Sequence, residues 1–175
     1  YGNLYEVVLS NGDLVYSDDK GSFLMTGQII DLKNKKNVTA AREAELSRVN
    51  MADLPLKQAV KQVRGTGKRT LVTFEDPNCG YCKKLAKELK DVKDTTIYTF
   101  MIPILSPDSM DKSRNIWCAK DRAASWNDWM TENKMPADAQ CDNPIAKNAE
   151  MARKYRITGT PTMFLADGSR LGGYL

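Results

Sequence analysis

The sequence predicts a mixed α+β and α/β chain: a small N-terminal antiparallel sheet module, a helical linker, and a larger α/β domain carrying a helical insertion. Three observations predict it. Short β-prone runs broken by turn signals fill residues 1–32. Apolar residues at helical spacing follow near residue 56. After Gly67 a strand, a helix and a second strand succeed one another as in a βαβ unit, whose right-handed crossover implies parallel pairing. The 175 residues hold one medium domain or two small ones, and 42% hydrophobic against 27% charged residues is the balance of a chain that buries a core.

Each element has its own local reason. Leu4-Tyr5-Glu6-Val7-Val8-Leu9 is β-prone, Asn11-Gly12 is a hairpin signal, and Leu14-Val15-Tyr16 restarts the pattern. Asp18-Asp19-Lys20-Gly21 reads as a second turn, with Phe23-Leu24-Met25 and Gln28-Ile29-Ile30-Asp31-Leu32 as further strands. So small a sheet needs a partner surface. A polar, Lys-rich loop from Asp31 to Asn37 leads into a helix over residues 39–49 built from strong helix formers. Pro55 suits a helical first turn, Leu56, Ala59, Val60 and Val63 lie on one helical face, and Gly65-Thr66-Gly67 stops it. Residues 51–66 are therefore read as a helical linker between an N-terminal module (1–50) and a second domain (67–175). From spacing alone, a helix packed within one domain fits equally.

In the second domain Arg69–Phe74 is a strand, and Asn78 is placed to cap a helix starting around Cys79 whose buried face carries Cys82, Leu85, Ala86, Leu89 and Val92. Thr96–Ile102 is the next strand. A helical block over residues 108–132 holds Trp117, Trp126 and Trp129, read as packing and not as a ligand cage. A helix runs from Pro144 to Tyr155, and residues 162–166 and 170–171 form a terminal hairpin across Asp167-Gly168. Met101 and Met163 are read as core. No closing element follows that hairpin, so the domain reads as cut short at Leu175.

Composition removes whole classes of chemistry. There is no histidine, which excludes Ser-His-Asp and Cys-His hydrolases, His-ligated metals and His proton shuttles. A net charge of +4 with interspersed signs gives only weak support to a nucleic-acid footprint and none is expected, and the Lys83, Lys84, Lys87 and Lys90 series reads as a solvated helix face in which Lys83 or Lys84 assists a nearby thiolate modestly. No apolar run nears the roughly 20 residues that cross a bilayer, and Tyr1-Gly2-Asn3 is not a signal peptide.

The reactive chemistry that remains is four cysteines, Cys79, Cys82, Cys118 and Cys141. Cys79-Gly80-Tyr81-Cys82 falls where a strand passes into a helix. Free N–H groups and the partial positive charge of a helix start stabilise a thiolate there, and the i, i+3 spacing brings the second sulfur within disulfide reach. A redox dithiol is the favoured reading; half of a zinc site and a purely structural bridge are the alternatives. Zinc is expected to be absent, because Cys118 and Cys141 lack knuckle spacing, and no cofactor is expected. Cys118 and Cys141 read most simply as a structural disulfide clamping the helical block, with two buried inert thiols as the alternative. Closing such a loop stabilises by roughly 3 kcal/mol in the chain-entropy picture, and a structural bridge beside a CxxC points to an oxidising compartment.

Phe74-Glu75-Asp76-Pro77-Asn78-Cys79-Gly80-Tyr81-Cys82, followed much later by Thr158-Gly159-Thr160-Pro161-Thr162, resembles the thioredoxin superfamily. Ile116-Trp117-Cys118-Ala119-Lys120-Asp121 and Cys141 narrow this to the DsbC/DsbG group of periplasmic thiol:disulfide interchange proteins, nearer DsbC because of Gly80-Tyr81. The resemblance covers nearly the whole chain. It implies a thioredoxin-like catalytic domain, Cys79 as the attacking and more exposed thiolate, and Cys82 as the resolving thiol. It also implies substrate contacts at Gly80, Tyr81 and Thr160-Pro161, with a cis bond before Pro161; without it, Thr160-Pro161 reads as an ordinary turn. The implied activity is rearrangement of wrong disulfides in secreted proteins. Alternatives are a dithiol oxidase or sulfenic-acid reductase of the DsbG kind, and a redox-silent holdase chaperone. Implied partners are misoxidised or unfolded secreted proteins, a membrane reductase of the DsbD kind, and a second copy through the N-terminal module, in the periplasm. Two features depart from the family: thioredoxin's buried acid six residues before the first active cysteine is here Thr73, leaving Glu75 or water as proton acceptor, and both the module's first segment and the final helix are expected to be missing.

Overall fold

The computed structural model describes residues 1–174, which divide into two compact units, Tyr1–Arg48 and Val49 onward. In the first, β1 (Tyr5–Val8) pairs antiparallel with β2 (Leu14–Ser17), Tyr5 opposite Ser17 and Val8 opposite Leu14. The turn signal works through a loop longer than the two-residue hairpin. Gly12 takes φ +94°, and the Asn11 side chain accepts the Asp13 N–H at 3.1 Å. The Lys-rich segment is not a plain loop but a short hairpin of β3 (Ile30–Asp31) and β4 (Lys36–Asn37). Asn37 then caps α1 (Val38–Leu46) by accepting the Ala40 N–H at 2.9 Å, and the helix ends three residues before Val49. Phe23–Met25 is not a strand: Met25 alone bridges Tyr16, and Phe23 and Leu24 stay exposed.

The second unit corrects the expected helical linker. Residues 51–53 and 56–58 form single 3₁₀ turns, and Val60–Arg64 is a strand, β5. Its pattern is alternating: Val60 and Gln62 are buried while Lys61 and Val63 face solvent. The helical spacing of 56, 59, 60 and 63 was fortuitous, and pairing along β7 satisfies the backbone of this segment. The polar Gln62 on the buried side is what disguised the period.

β6 (Arg69–Glu75), α2 (Gly80–Glu88) and β7 (Thr95–Met101) form the βαβ unit, with β6 and β7 parallel. α3 (Asp108–Cys118) and α4 (Arg122–Glu132) make up the helical block, followed by α5 (Ile145–Lys154) and the hairpin of β8 (Thr162–Leu165) and β9 (Arg170–Gly172). The sheet order is β5-β7-β6-β8-β9, β5 and β8 running antiparallel to their neighbours. Alternation along β6 and β7 splits the core. Val72, Phe74, Phe100 and Phe164 pack on one side with Ala152 and Ile157. On the other, Met101 packs with Cys79, Cys82 and Ala86 of the α2 segment and with Ile116, Trp117, Trp126, Trp129 and Met130. The three tryptophans and Met101 and Met163 are buried packing residues. Among the described residues no helix is long and apolar enough to cross a membrane.

Candidate active site

The end of β6 is held down before it turns into α2. Asp76, fully buried, accepts the Asn78 N–H (2.8 Å) and Ser109 hydroxyl (2.7 Å) on Oδ1, and the Ile104 (2.8 Å) and Leu105 (2.9 Å) N–H groups on Oδ2. Its carbonyl accepts the Cys79 N–H at 3.0 Å. Trp129 of α4 adds a second tie, its indole donating to the Pro77 carbonyl at 2.6 Å. Neither residue stood out in the sequence. For Asp76 the available signal was an acid at the end of a strand directly before a Pro-Asn turn.

The helix cap differs from expectation. Asn78 does not cap α2; its amide donates to Ser106 Oγ, Asp108 Oδ1 and Ser109 Oγ, which fixes the turn against the start of α3. Cys79 is the cap, its sulfur accepting the Cys82 N–H at 3.1 Å. The nucleophile is thereby built into the helix start. Thr160, immediately before the cis bond to Pro161, presents its carbonyl to the same sulfur, which donates to it at 3.4 Å. The sites expected at 79–82 and 160–161 are therefore one place in the fold, although 81 residues separate Cys79 from Thr160.

These contacts set the chemistry of the two free thiols. A hydrogen bond from the Cys82 thiol, opposed by burial and aided by the Thr160 side chain and the Cys82 and Tyr81 amides, lowers the Cys79 pKa to about 6. Two α2 lysines are engaged away from the sulfur: the Lys83 ammonium donates to Asn133 at 2.6 Å and lies 3.9 Å from the centre of the Trp129 ring, and Lys84 sits over Tyr81. Burial, the hydrogen bond to Cys79 and the nearby Glu75 carboxylate push the Cys82 thiol strongly up. Cys79 is the more exposed of the pair only narrowly, 4% against 0%. Beside it Gly80 is exposed, and Tyr81, 58% exposed, packs its ring 5.8 Å from that of Tyr174.

Glu75 sits on the dithiol side of β6, 2% exposed, its Oε1 accepting the Thr73 hydroxyl at 2.7 Å. Burial, partly offset by that bond and reinforced by Cys79, raises its pKa to about 8. Cys118 and Cys141 are joined as a disulfide with Cα atoms 5.7 Å apart, tying the end of α3 to the segment before α5. Their thiolates are thus not available to a metal.

Residues 56–175 match the thioredoxin-like domain family, and residues 1–40 match the disulfide bond isomerase protein N-terminal domain. The chain is 46% identical over 175 residues to the probable thiol:disulfide interchange protein DsbC of Bordetella pertussis, and 28% identical over 173 residues to DsbC of Escherichia coli K12. It spans 62% of the length of the Bordetella protein and 72% of the Escherichia coli one. A crystal structure of a disulfide interchange protein from Neisseria gonorrhoeae superposes with a TM-score of 0.68 at 40% identity, covering 70% of this chain and 89% of that one.

Proposed function

We propose that this chain, which belongs to the thioredoxin-like family and carries a disulfide-isomerase N-terminal domain, rearranges non-native disulfides in secreted proteins through a mixed disulfide at Cys79. The observation that carries the reading is the Cys79 sulfur at the head of α2, held by the Cys82 N–H and facing the Thr160 carbonyl, with a pKa of about 6. At neutral pH that sulfur is mostly thiolate, the species that attacks a disulfide. It bonds to one sulfur of a wrong client bridge and expels the other as a thiolate. The expelled thiolate attacks elsewhere in the client and releases Cys79, leaving a new pairing. If rearrangement stalls, Cys82 attacks Cys79, the client leaves reduced, and the enzyme leaves oxidised.

The remaining roles follow from that chemistry. Gly80, Tyr81 and the Thr160-Pro161 turn contact an extended client segment beside the dithiol. The N-terminal unit joins two copies so that two catalytic domains face one client. Isomerisation needs the dithiol kept reduced, so a membrane reductase of the DsbD kind in the periplasm is the matching partner. A module that only holds clients has no use for a sulfur tuned in this way.

Reactivation of a scrambled multi-disulfide substrate tests the reading. The Cys79→Ala protein is expected to lose reactivation while still suppressing aggregation; reactivation at the unaltered rate would refute interchange at Cys79.

A further inference from the structure

Beside the dithiol two ammonium groups share one indole. Lys83 Nζ lies 3.9 Å and Lys112 Nζ 4.7 Å from the centre of the Trp129 ring, and those two distances limit how far apart the cations can be. The ring is fixed next to the nucleophile: its N–H donates to the Pro77 carbonyl at 2.6 Å, and it packs in the same buried cluster as Cys79 and Cys82. Lys112 donates to Asn78 Oδ1 at 2.7 Å. The Lys83 backbone N–H donates to the Cys79 carbonyl at 3.0 Å, one helical turn on. This platform therefore borders residues 77–79, and it is built from α2, α3 and α4.

Its charges do not balance. Lys112 pairs with Asp108 at 2.6 Å. Lys83 has no carboxylate within ion-pair distance among the described residues, and its ammonium donates to the neutral Asn133 amide oxygen. An ammonium carries three donors. Lys83 thus keeps two uncommitted, and Lys112, bound to Asn78 and Asp108, keeps one. Burial and the like charges of Lys112 and Lys87 push the Lys83 pKa down, a cost that attraction to the ring offsets in part. Both lysines remain partly exposed, so a group arriving from solvent can reach them.

We propose that Lys83 and Lys112, seated on Trp129, form a subsite for an acidic side chain of the client, an Asp or Glu beside the cysteine under attack, a role that rests on the interchange reading above. A carboxylate there accepts from the uncommitted donors and supplies the counter-charge that Lys83 lacks. The subsite also answers a problem of approach. The Cys79 thiolate repels an acidic client segment, and positive charge on its flank offsets that repulsion at short range. Client bridges flanked by acids are thereby attacked ahead of those flanked by lysines. The two lysines set specificity and touch no reacting atom.

Three short peptides, mixed with the reduced full chain, test the subsite. In each the cysteine is flanked by Asp, by Asn or by Lys and is activated as a mixed disulfide with thiopyridine. The Cys79 thiolate bonds to the peptide sulfur and the thiopyridine leaves with the electron pair, its absorbance giving the rate. Lys83 is the residue to alter, because Lys112 also holds the Asn78 turn. Dividing each peptide's rate with the unaltered chain by its rate with a variant cancels the peptides' own reactivities. Lys83→Gln is expected to slow the Asp peptide about fivefold, the scale of one partly exposed ion pair, and to leave the Asn peptide within about 1.5-fold. Lys83→Arg should keep the preference, and Lys83→Glu should reverse it in favour of the Lys peptide. In about 1 M salt, where the screening length is about 3 Å, the preference of the unaltered chain should shrink. Equal slowing of all three peptides in Lys83→Gln would make Lys83 an aid to the thiolate and overturn the subsite, as would no change in any of them. An unaltered chain inert toward even the Asn peptide would instead refute interchange at Cys79.

Discussion

At the scale of single residues, the dithiol is a matter of which sulfur points where. Cys79 caps its own helix, so the amide at Cys82 and the Cys82 thiol converge on it, while Cys82 lies inside the core without a charge partner of opposite sign. Alkylation rates of the reduced protein against pH should therefore show one midpoint near 6, assigned to Cys79 by peptide mapping, with Cys82 inert through neutrality. A midpoint near that of a free thiol, about 8.5, would show that the cap does not act. The lysines of α2 enter little into this, and Lys83→Ala is expected to leave the midpoint in place because its ammonium is turned to Asn133 and Trp129. The dithiol and its place at a helix start were legible in Cys79-Gly80-Tyr81-Cys82. The opposite destinies of Glu75 and Asp76 were not. Neighbouring strand residues face opposite ways, and only the register of β6 against β7 and β8 says which acid meets the sulfurs and which meets the loop before α3.

At the scale of elements, Asp76 joins the β6–α2 turn to the loop between β7 and α3. Removing it in Asp76→Ala leaves the Asn78, Ile104 and Leu105 amides and the Ser109 hydroxyl without their acceptor in a buried site. The expected loss is on the order of 3 kcal/mol or more, read as a lower urea midpoint at unchanged slope. Asp76→Asn, which keeps acceptor capacity on one oxygen, should lose less. Because the same turn carries Cys79, the alanine variant is also expected to slow the attack of Cys79 on the aromatic disulfide DTNB; a normal rate with lowered stability would make Asp76 a purely structural residue. β5 was the element the sequence hid. A strand with Gln62 inward and Val63 outward breaks the apolar alternation that announces strands, and Leu56, Ala59, Val60 and Val63 filled a helical template by coincidence. The misreading mattered, since β5 supplies the Gln62 and Arg64 that line a small cavity together with Glu75. By contrast β6, α2 and β7 were legible, because their apolar runs are long and each is bounded by turn residues.

At the scale of the whole molecule, the tuned groups pull stability in opposite directions with pH. Cys79 titrates near 6 in the folded reduced chain and near 9 ordinarily, so its contribution is present above 9 and is lost as pH falls through 6. Glu75 has the reverse sign. Its pKa rises from an ordinary 4.5 to about 8, so between these values the unfolded chain has released a proton that the folded chain still holds. Stability therefore falls as pH climbs from about 4.5 to about 8, by an amount on the order of a few kcal/mol for so buried a carboxyl. Oxidising Cys79 and Cys82 to a disulfide removes the first effect and leaves the second, whose largest cause is burial. In the oxidised protein Glu75→Gln should thus gain over the unaltered chain as pH rises, with a difference in Tm roughly 5 °C or more larger at pH 8 than at pH 5. A difference that stays constant with pH would show that Glu75 ionises as an ordinary surface carboxyl.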